Sequence, residues 1–456
     1  MGHLIYPTTN LNAIEQLIIT HGEGIYVYDN HGKRYLEGLS GLWCEALGHG
    51  NQELVEAAAT QMRSMAYQPL FGGKTHPTAM ALAERLAAML PIKDAYVFFG
   101  NSGSDANDTH WKLLRYYYNA IGKPEKRKII ARKGAYHGIT VAAAAMTGLT
   151  SSHSYFDIPF EALGVVRAEG AHFYRQGRAG ESESDCGLRL AHELEQLIQR
   201  EDPRTVAAFI AEPVTGAGGV VVPPSSYFGA VQEVLRKHDI LLIDDEVITG
   251  FGRTGNDFGA TTFGIRPDMM TLAKALTSGY VPLSVAAIRG DMYERLRAPS
   301  GKVGVFGHGY TYSGHPVSCA VALKTLEIYE RDRVFEHAAR VGRYMQQQLR
   351  SQFESHALVG EVRGVGLIAA LEIVANKSTR ESFPTAEVVQ YLQSRAQEHG
   401  LLVRALGSTS VGICPPLIIT ERQIDEIVGS LGAALDETRQ HAERQGLLGG
   451  QQRRVG

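Results

Sequence analysis

Four short apolar runs in this 456-residue chain are each followed at once by residues able to do chemistry. "YVFF" (96–99) leads into "GNSGSDAND" (100–108), a Gly/Ser turn that opens a helical pattern. Such a turn leaves backbone N–H groups free, and the helix dipole directs them at an anion. The same residues suit an ordinary N-cap, with Ser102 or Ser104 satisfying the first turn. "VAAFI" (206–210) is followed by Ala211-Glu212-Pro213, and "ILLI" (240–243) by Asp244-Asp245-Glu246. Asp245 ends an apolar strand, where a carboxylate is costly unless paired. A protonated nitrogen heterocycle would pair it, and so would Arg253. "MMTL" (269–272) is followed by Ala273-Lys274. A lysine in a largely apolar pocket has a lowered pKa and condenses with a carbonyl, whereas a solvated strand-end lysine snorkels.

Taken together, an anion turn, a buried aspartate and a strand-end lysine supply what pyridoxal phosphate requires: an anchor, a pyridinium partner and an amine for the aldehyde. "LLIDDEVITGFGRTG" (241–255) also spells G-x-G-x-x-G at Gly250, Gly252 and Gly255. A dinucleotide fingerprint sits tight against its strand and opens a helix. Here the acidic triplet and "VIT" intervene, and the turn-rich "NDFGATTFGIRPD" (256–268) follows, so these glycines are expected to shape a loop. There is no G-x-x-x-x-G-K-[ST], hence no NTP loop.

Continuous apolar runs, including "VAAI" (285–288), predict strands covered on both faces, and so a mostly parallel sheet. Helical patterns at 105–120 and 188–200 alternate with them, which predicts a doubly wound α/β domain over residues 60–320. In such a sheet, ligands bind beyond the carboxyl ends of the strands. The flanks, 1–59 and 321–456, read as one small α+β domain built from both chain ends. "GIYVYDNHGKRYLEG" (24–38) predicts two strands around a polar turn, and strand patterns recur at 364–373 and 401–404. Thr420 with Gln423 predicts a capping box for a final helix whose apolar face is Ile424, Ile427, Val428 and Leu431. Residues 446–456 are expected to fray.

Forty-five basic against 48 acidic residues leave a net charge of −3, which argues against a nucleic-acid partner. No apolar stretch reaches the length of a membrane span, and "MGHLIYPTTN" has no signal-peptide core. Cys44, Cys186, Cys319 and Cys414 are scattered and expected to be free thiols, in keeping with a cytoplasmic protein. No metal site is expected.

These segments resemble the class III pyridoxal-phosphate aminotransferases of fold type I, from "GLSGLWCEALGHG" (38–50) to "LLVRALGSTS" (401–410). "LLIDDEVITGFGRTG" with "TLAKALTSGY" is the most specific pair, and "NSGSDAND", "AYHG", "AEPVTGAGG" and "GHGYTYSGHP" agree in order and spacing. Within the class the chain is most similar to the ω-amine:pyruvate and 4-aminobutyrate:pyruvate transaminases. The resemblance implies that Lys274 binds the aldehyde and shuttles the proton, and that Asp245 keeps the ring nitrogen protonated. It implies Val247 and Tyr136 on the two ring faces, Gly103 and Ser104 at the phosphate, and Glu212 by the phenolic oxygen. It places Thr311 at the phosphate of a second subunit, so a homodimer or dimer of dimers with shared active sites is expected. Trp43 and Tyr136 would line the substrate pocket, and Arg404 would be a mobile arginine for an oxo-acid carboxylate, the alternative being an interdomain salt bridge.

Two departures stand out: Asp244, where the family usually has an apolar or small residue, and Thr8, where relatives often carry Phe or Met. The expected activity is ping-pong transamination from a primary amine or ω-amino acid to pyruvate or another 2-oxo acid. A decarboxylase or aminomutase would share every cofactor residue. A nicotinamide oxidoreductase would rest on the three glycines alone.

Overall fold

Three sheets organise residues 3–12 and 16–448, the part of the chain that the computed structural model describes. Near the start, β1 (Ile19–Glu23), β2 (Tyr26–Asp29) and β3 (Arg34–Glu37) form an antiparallel meander. The polar turn between β2 and β3 is tied by Asp29, whose Oδ1 accepts from the N–H groups of His31 (2.8 Å) and Lys33 (2.9 Å).

The central sheet has seven strands: β4 (Tyr96–Gly100), β5 (Lys128–Arg132), β6 (Val165–Ala168), β7 (Val206–Ala211), β8 (Leu241–Asp245), β9 (Met269–Leu272) and β10 (Ser284–Ile288). Their spatial order is β4-β10-β9-β8-β7-β5-β6. All point the same way except β10, which runs antiparallel to both neighbours. Strands β7 to β10 are buried at every position, as continuous apolar runs require when both faces are covered. The helix α1 (Gly103–Ala120) follows β4 and packs on β9 and β10.

The last third supplies β11 (Val359–Val365), β12 (Ile368–Ile373), β13 (Leu401–Leu402), β14 (Arg404–Leu406) and β15 (Ser410–Ile413). β13 joins the first sheet, pairing in parallel with β3 through Leu401 and Leu36, so both chain ends build the smaller domain. The closing helix α2 (Glu421–Arg444) starts on the Thr420–Gln423 capping box and buries Ile424, Ile427 and Leu431. The expectation for the terminal stretch 446–456 falls, from residue 449 on, outside the described residues.

The glycines of "GFGRTG" serve packing. A Cβ on Gly252, which has φ +95°, would lie 2.6 Å from the Phe335 ring, and one on Gly255 would press on Ala339. Both residues lie against the helix Val334–Phe353, with no helix opening from them. Among the described residues no helix is long and apolar enough to cross a membrane, and the four cysteines are free.

Candidate active site

Because β4, β7, β8 and β9 share one direction, their carboxyl ends and the residues that follow them meet along one rim of the sheet. At the end of β4, "NSGSDAND" forms the N-cap that its serines predict without using the donors that the anion reading needs. Ser102 caps α1 by accepting from Asp105 N (3.2 Å), and the Asp105 carboxylate accepts from Asn101 N (2.8 Å) and Ser102 N (3.1 Å). That box leaves the N–H groups of Gly103 and Ser104 without an acceptor among the described residues. Gly103 has to be glycine here: a Cβ would sit 2.9 Å from Val247 Cγ2. The result is an open helix N-terminus with Val247 pressed against it, a cradle with the field and donors for a phosphate.

At the end of β8 the two aspartates face opposite ways, as strand alternation demands. Asp245 turns toward α1 and is 3 % exposed. Its Oδ2 accepts from Asn107 Nδ2 (2.8 Å) and from His137 Nδ1 (2.8 Å), and its Oδ1 from Val247 N (3.2 Å). Arg253 is not its partner; that guanidinium donates to the carbonyls of Leu367 (3.1 Å) and Pro415 (2.5 Å). Asp244 faces the other side, beside the Glu246 carboxyl and near Arg132, and among the described residues no N–H or hydroxyl group donates to its oxygens. Burial and the neighbouring Glu246 push its pKa well above the carboxylate range.

Lys274 follows β9 and adopts φ +48°, a left-handed conformation that costs a non-glycine residue about 1–3 kcal/mol and persists where its surroundings impose it. Burial lowers its pKa, with Cys44, Asp245 and Glu212 opposing that shift. Its Nζ lies 5.1 Å from the Trp43 ring centroid, and the Arg404 guanidinium lies 5.3 Å from the same ring. Trp43, itself at φ +57°, is therefore flanked by both cations. Arg404 opens β14 and pairs with no carboxylate among the described residues, so the interdomain salt bridge is not formed. Burial lowers its pKa, and Tyr136, across the pocket, is raised by burial.

Glu212, after β7, is fixed by two backbone donors, Tyr136 N to Oε1 (3.0 Å) and Gly216 N to Oε2 (2.8 Å). Burial raises its pKa, with His137 acting against it. Ser104 Oγ accepts from Ile139 N (3.0 Å), tying the loop after β5 to the start of α1. Thr311 alone stands apart: it is exposed, and its carbonyl accepts from Tyr67 Oη (2.8 Å). Thr8 is exposed as well.

The rim thus gathers Gly103, Ser104, Val247, Asp245, Glu212, Tyr136, Lys274, Trp43 and Arg404. Asn107, His137 and Thr271 belong with them and were not singled out from sequence. Asn107 and His110 stand at i and i+3 before Leu114 and Tyr118 at i+7 and i+11, so two polar residues interrupt the buried stripe of α1. That interruption is the signal which could have found Asn107.

These residues fit pyridoxal phosphate by their chemistry: two free N–H donors at a helix N-terminus, a carboxylate with one uncrowded oxygen, and a desolvated lysine amine. Residues 8–435 match the family described as aminotransferase class III. The chain is 45 % identical over 427 residues to a probable gamma-aminobutyrate transaminase 2, mitochondrial, from Oryza sativa subsp. indica, covering 93 % of this chain and 85 % of that protein. It is 44 % identical to a vanillin aminotransferase from Capsicum annuum, over 97 % of each chain. Among solved structures, an omega transaminase from Pseudomonas jessenii in complex with PMP superposes with a TM-score of 0.94 at 46 % identity, covering 98 % of both chains.

Proposed function

The chain belongs to the class III aminotransferases, and we propose that it moves an amino group from a primary amine or ω-amino acid to pyruvate. Members of this class use pyridoxal phosphate, which supplies a carbonyl for the amine and a ring that accepts electrons from the substrate carbon. Within this reading Lys274 would hold the cofactor at its aldehyde and, when an amine is bound instead, its free amine would carry the proton of the substrate carbon. Asp245 holds the ring-nitrogen proton, Gly103 and Ser104 hold the phosphate, and Val247 and Tyr136 enclose the ring. Glu212, oriented by its two backbone bonds, would face the phenolic edge. The limits of the large domain are read at residues 60 and 320.

The observation that carries the acceptor assignment is Arg404, a half-buried guanidinium beside Trp43 that no carboxylate meets among the described residues. A 2-oxo acid offers that charge a bidentate partner. Trp43 and Tyr136 give the amine's side chain an aromatic wall. The names of relatives, gamma-aminobutyrate transaminase and vanillin aminotransferase, support ω-amino and arylalkyl donors alike. Some of those relatives are named as mitochondrial or chloroplastic, and the four free cysteines suit a reducing compartment, the cytoplasm being the one expected from the sequence. A homodimer, in which Thr311 of one subunit completes the phosphate site of the other, accounts for that residue's exposure. The test is a screen of amine donors against pyruvate, with alanine as the readout. Alanine formed from arylalkyl or ω-amino donors is expected. Turnover with 2-oxoglutarate and none with pyruvate would overturn the acceptor assignment.

A further inference from the structure

We propose that Asn107 is a positioning residue for the reaction, deciding which oxygen of Asp245 meets the cofactor's ring nitrogen. This rests on the assignment of Asp245 to that nitrogen. Asn107 lies on α1 with no exposed surface, and an amide there is tolerable only if its groups are bonded. Nδ2 donates to Asp245 Oδ2 (2.8 Å) and to the His137 carbonyl (2.7 Å), while Oδ1 accepts from Thr271 Oγ1 (2.7 Å). The amide cannot turn over: reversal would set its oxygen against a carbonyl and a carboxylate, both acceptors. Thr271 sits opposite Asp245 in the β8–β9 register, so Asn107 clasps two adjacent strands at their functional ends.

The consequence lies in the division of donors at Asp245. Oδ2 already takes two, from Asn107 and His137, which fills its in-plane lone pairs. Oδ1 takes one, the Val247 N–H at 3.2 Å, and keeps one lone pair free. The ring N–H therefore meets Oδ1, and Asn107 keeps the carboxylate from rotating. His137 alone cannot do this, since one donor on Oδ2 leaves both oxygens equally able to receive the ring proton.

The test uses holoenzyme reconstituted with pyridoxal phosphate carrying ¹⁵N in the ring, comparing wild type with Asn107→Ala, Thr271→Val, Thr271→Ser and Asp245→Asn. The ring-nitrogen NMR signal reports whether the proton stays on nitrogen, which a merely structural role would not move. In Asn107→Ala the signal should shift toward unprotonated pyridine. There kcat should fall about tenfold to a hundredfold, the range for a hydrogen bond to a charged group, with KM for pyruvate little changed. Thr271→Val should shift the signal the same way, and Thr271→Ser should restore it. Asn107→Ala decides the matter; if it yields no folded protein, Thr271→Val decides. An unshifted nitrogen signal with only a lowered melting temperature would overturn the positioning role. If Asp245→Asn itself leaves the signal unmoved, the assignment of Asp245 is what fails.

Discussion

Arg404 separates the two halves of the proposed reaction, because its charge has a use in only one of them. A guanidinium that pairs with no carboxylate among the described residues is a latent binding site for one. Removing it in Arg404→Ala deletes a charge-assisted contact of roughly 1.5–3 kcal/mol, about tenfold to a hundredfold in the half-reaction with pyruvate. An arylalkyl amine has no carboxylate, so its half-reaction should change little or improve. Stopped-flow absorbance of each half-reaction measures this, and equal losses in both would mark Arg404 as structural. At this scale Lys274 and Asp245 were legible as candidates because each follows an apolar strand, where a charged group needs a reason to be, whereas Arg404 was pointed out by the family resemblance alone. Asn107 was not legible. Asn and His on a helix read as polar surface until the packing shows which face is buried, and here Asn107 and His110 share the stripe of Leu114.

The carboxyl end of β8 carries opposite tasks on its two faces. Asp245 points toward α1, where three donors hold it. Behind it, Asp244 and Glu246 are buried together, with Arg132 of β5 nearby. Burial raises Glu246 from its ordinary 4.5 to about 7, and burial with the Glu246 charge raises Asp244 well above 3.8. Carboxyls raised in this way keep their protons in the folded state after the unfolded chain has lost its own. Their contribution to stability is therefore full below the unfolded values near 4 and falls as pH rises through the folded ones. Asp244→Asn removes one of the two titrating carboxyls, so its stability relative to wild type should rise between pH 5 and pH 8. Melting temperatures at both pH values test this, and a constant difference would contradict it. Activity should survive Asp244→Asn, whereas Asp245→Asn should lose about a hundredfold or more, as removal of a preorganised charge does. Strand alternation lets only one of these aspartates face the site, and the choice of Asp245 came from the family resemblance. The sequence did not reveal β5 and β6, whose "KIIAR" and "VVRA" cores hold only three apolar residues each and end in or contain arginine. Nor did it reveal that β10 runs backwards, since a buried antiparallel strand has the same apolar pattern as a parallel one.

At the scale of the whole molecule, the two chain ends close over one side of the rim, because β13 hydrogen-bonds to β3 and brings Arg404 within reach of Trp43. The N-terminus of α1 is less enclosed, with Gly103 and Ser104 half-buried. Thr311 is exposed, and around the same fold lie outward-facing apolar side chains, including Tyr155 at 103 % exposure, Phe156 at 67 % and Tyr312 at 58 %. Surface of that kind is what a second subunit would bury. If Thr311 serves the partner's phosphate site, the two kinds of damage must complement one another. Lys274→Ala has no amine for the cofactor, and Thr311→Ala should hold the cofactor about tenfold less tightly, for the loss of one hydrogen bond to a phosphate. In a hybrid dimer of these two variants, one site carries both lesions and the other carries neither. A random equal mixture, unfolded and reassembled together, should then recover about a quarter of wild-type activity at limiting cofactor, since half the dimers are hybrids with one intact site each. If Thr311 instead served its own subunit, no site in any hybrid would be intact, and the mixture would show only the residual activity of the Thr311→Ala chains. Recovery of wild-type cofactor affinity in the active fraction distinguishes the two arrangements directly.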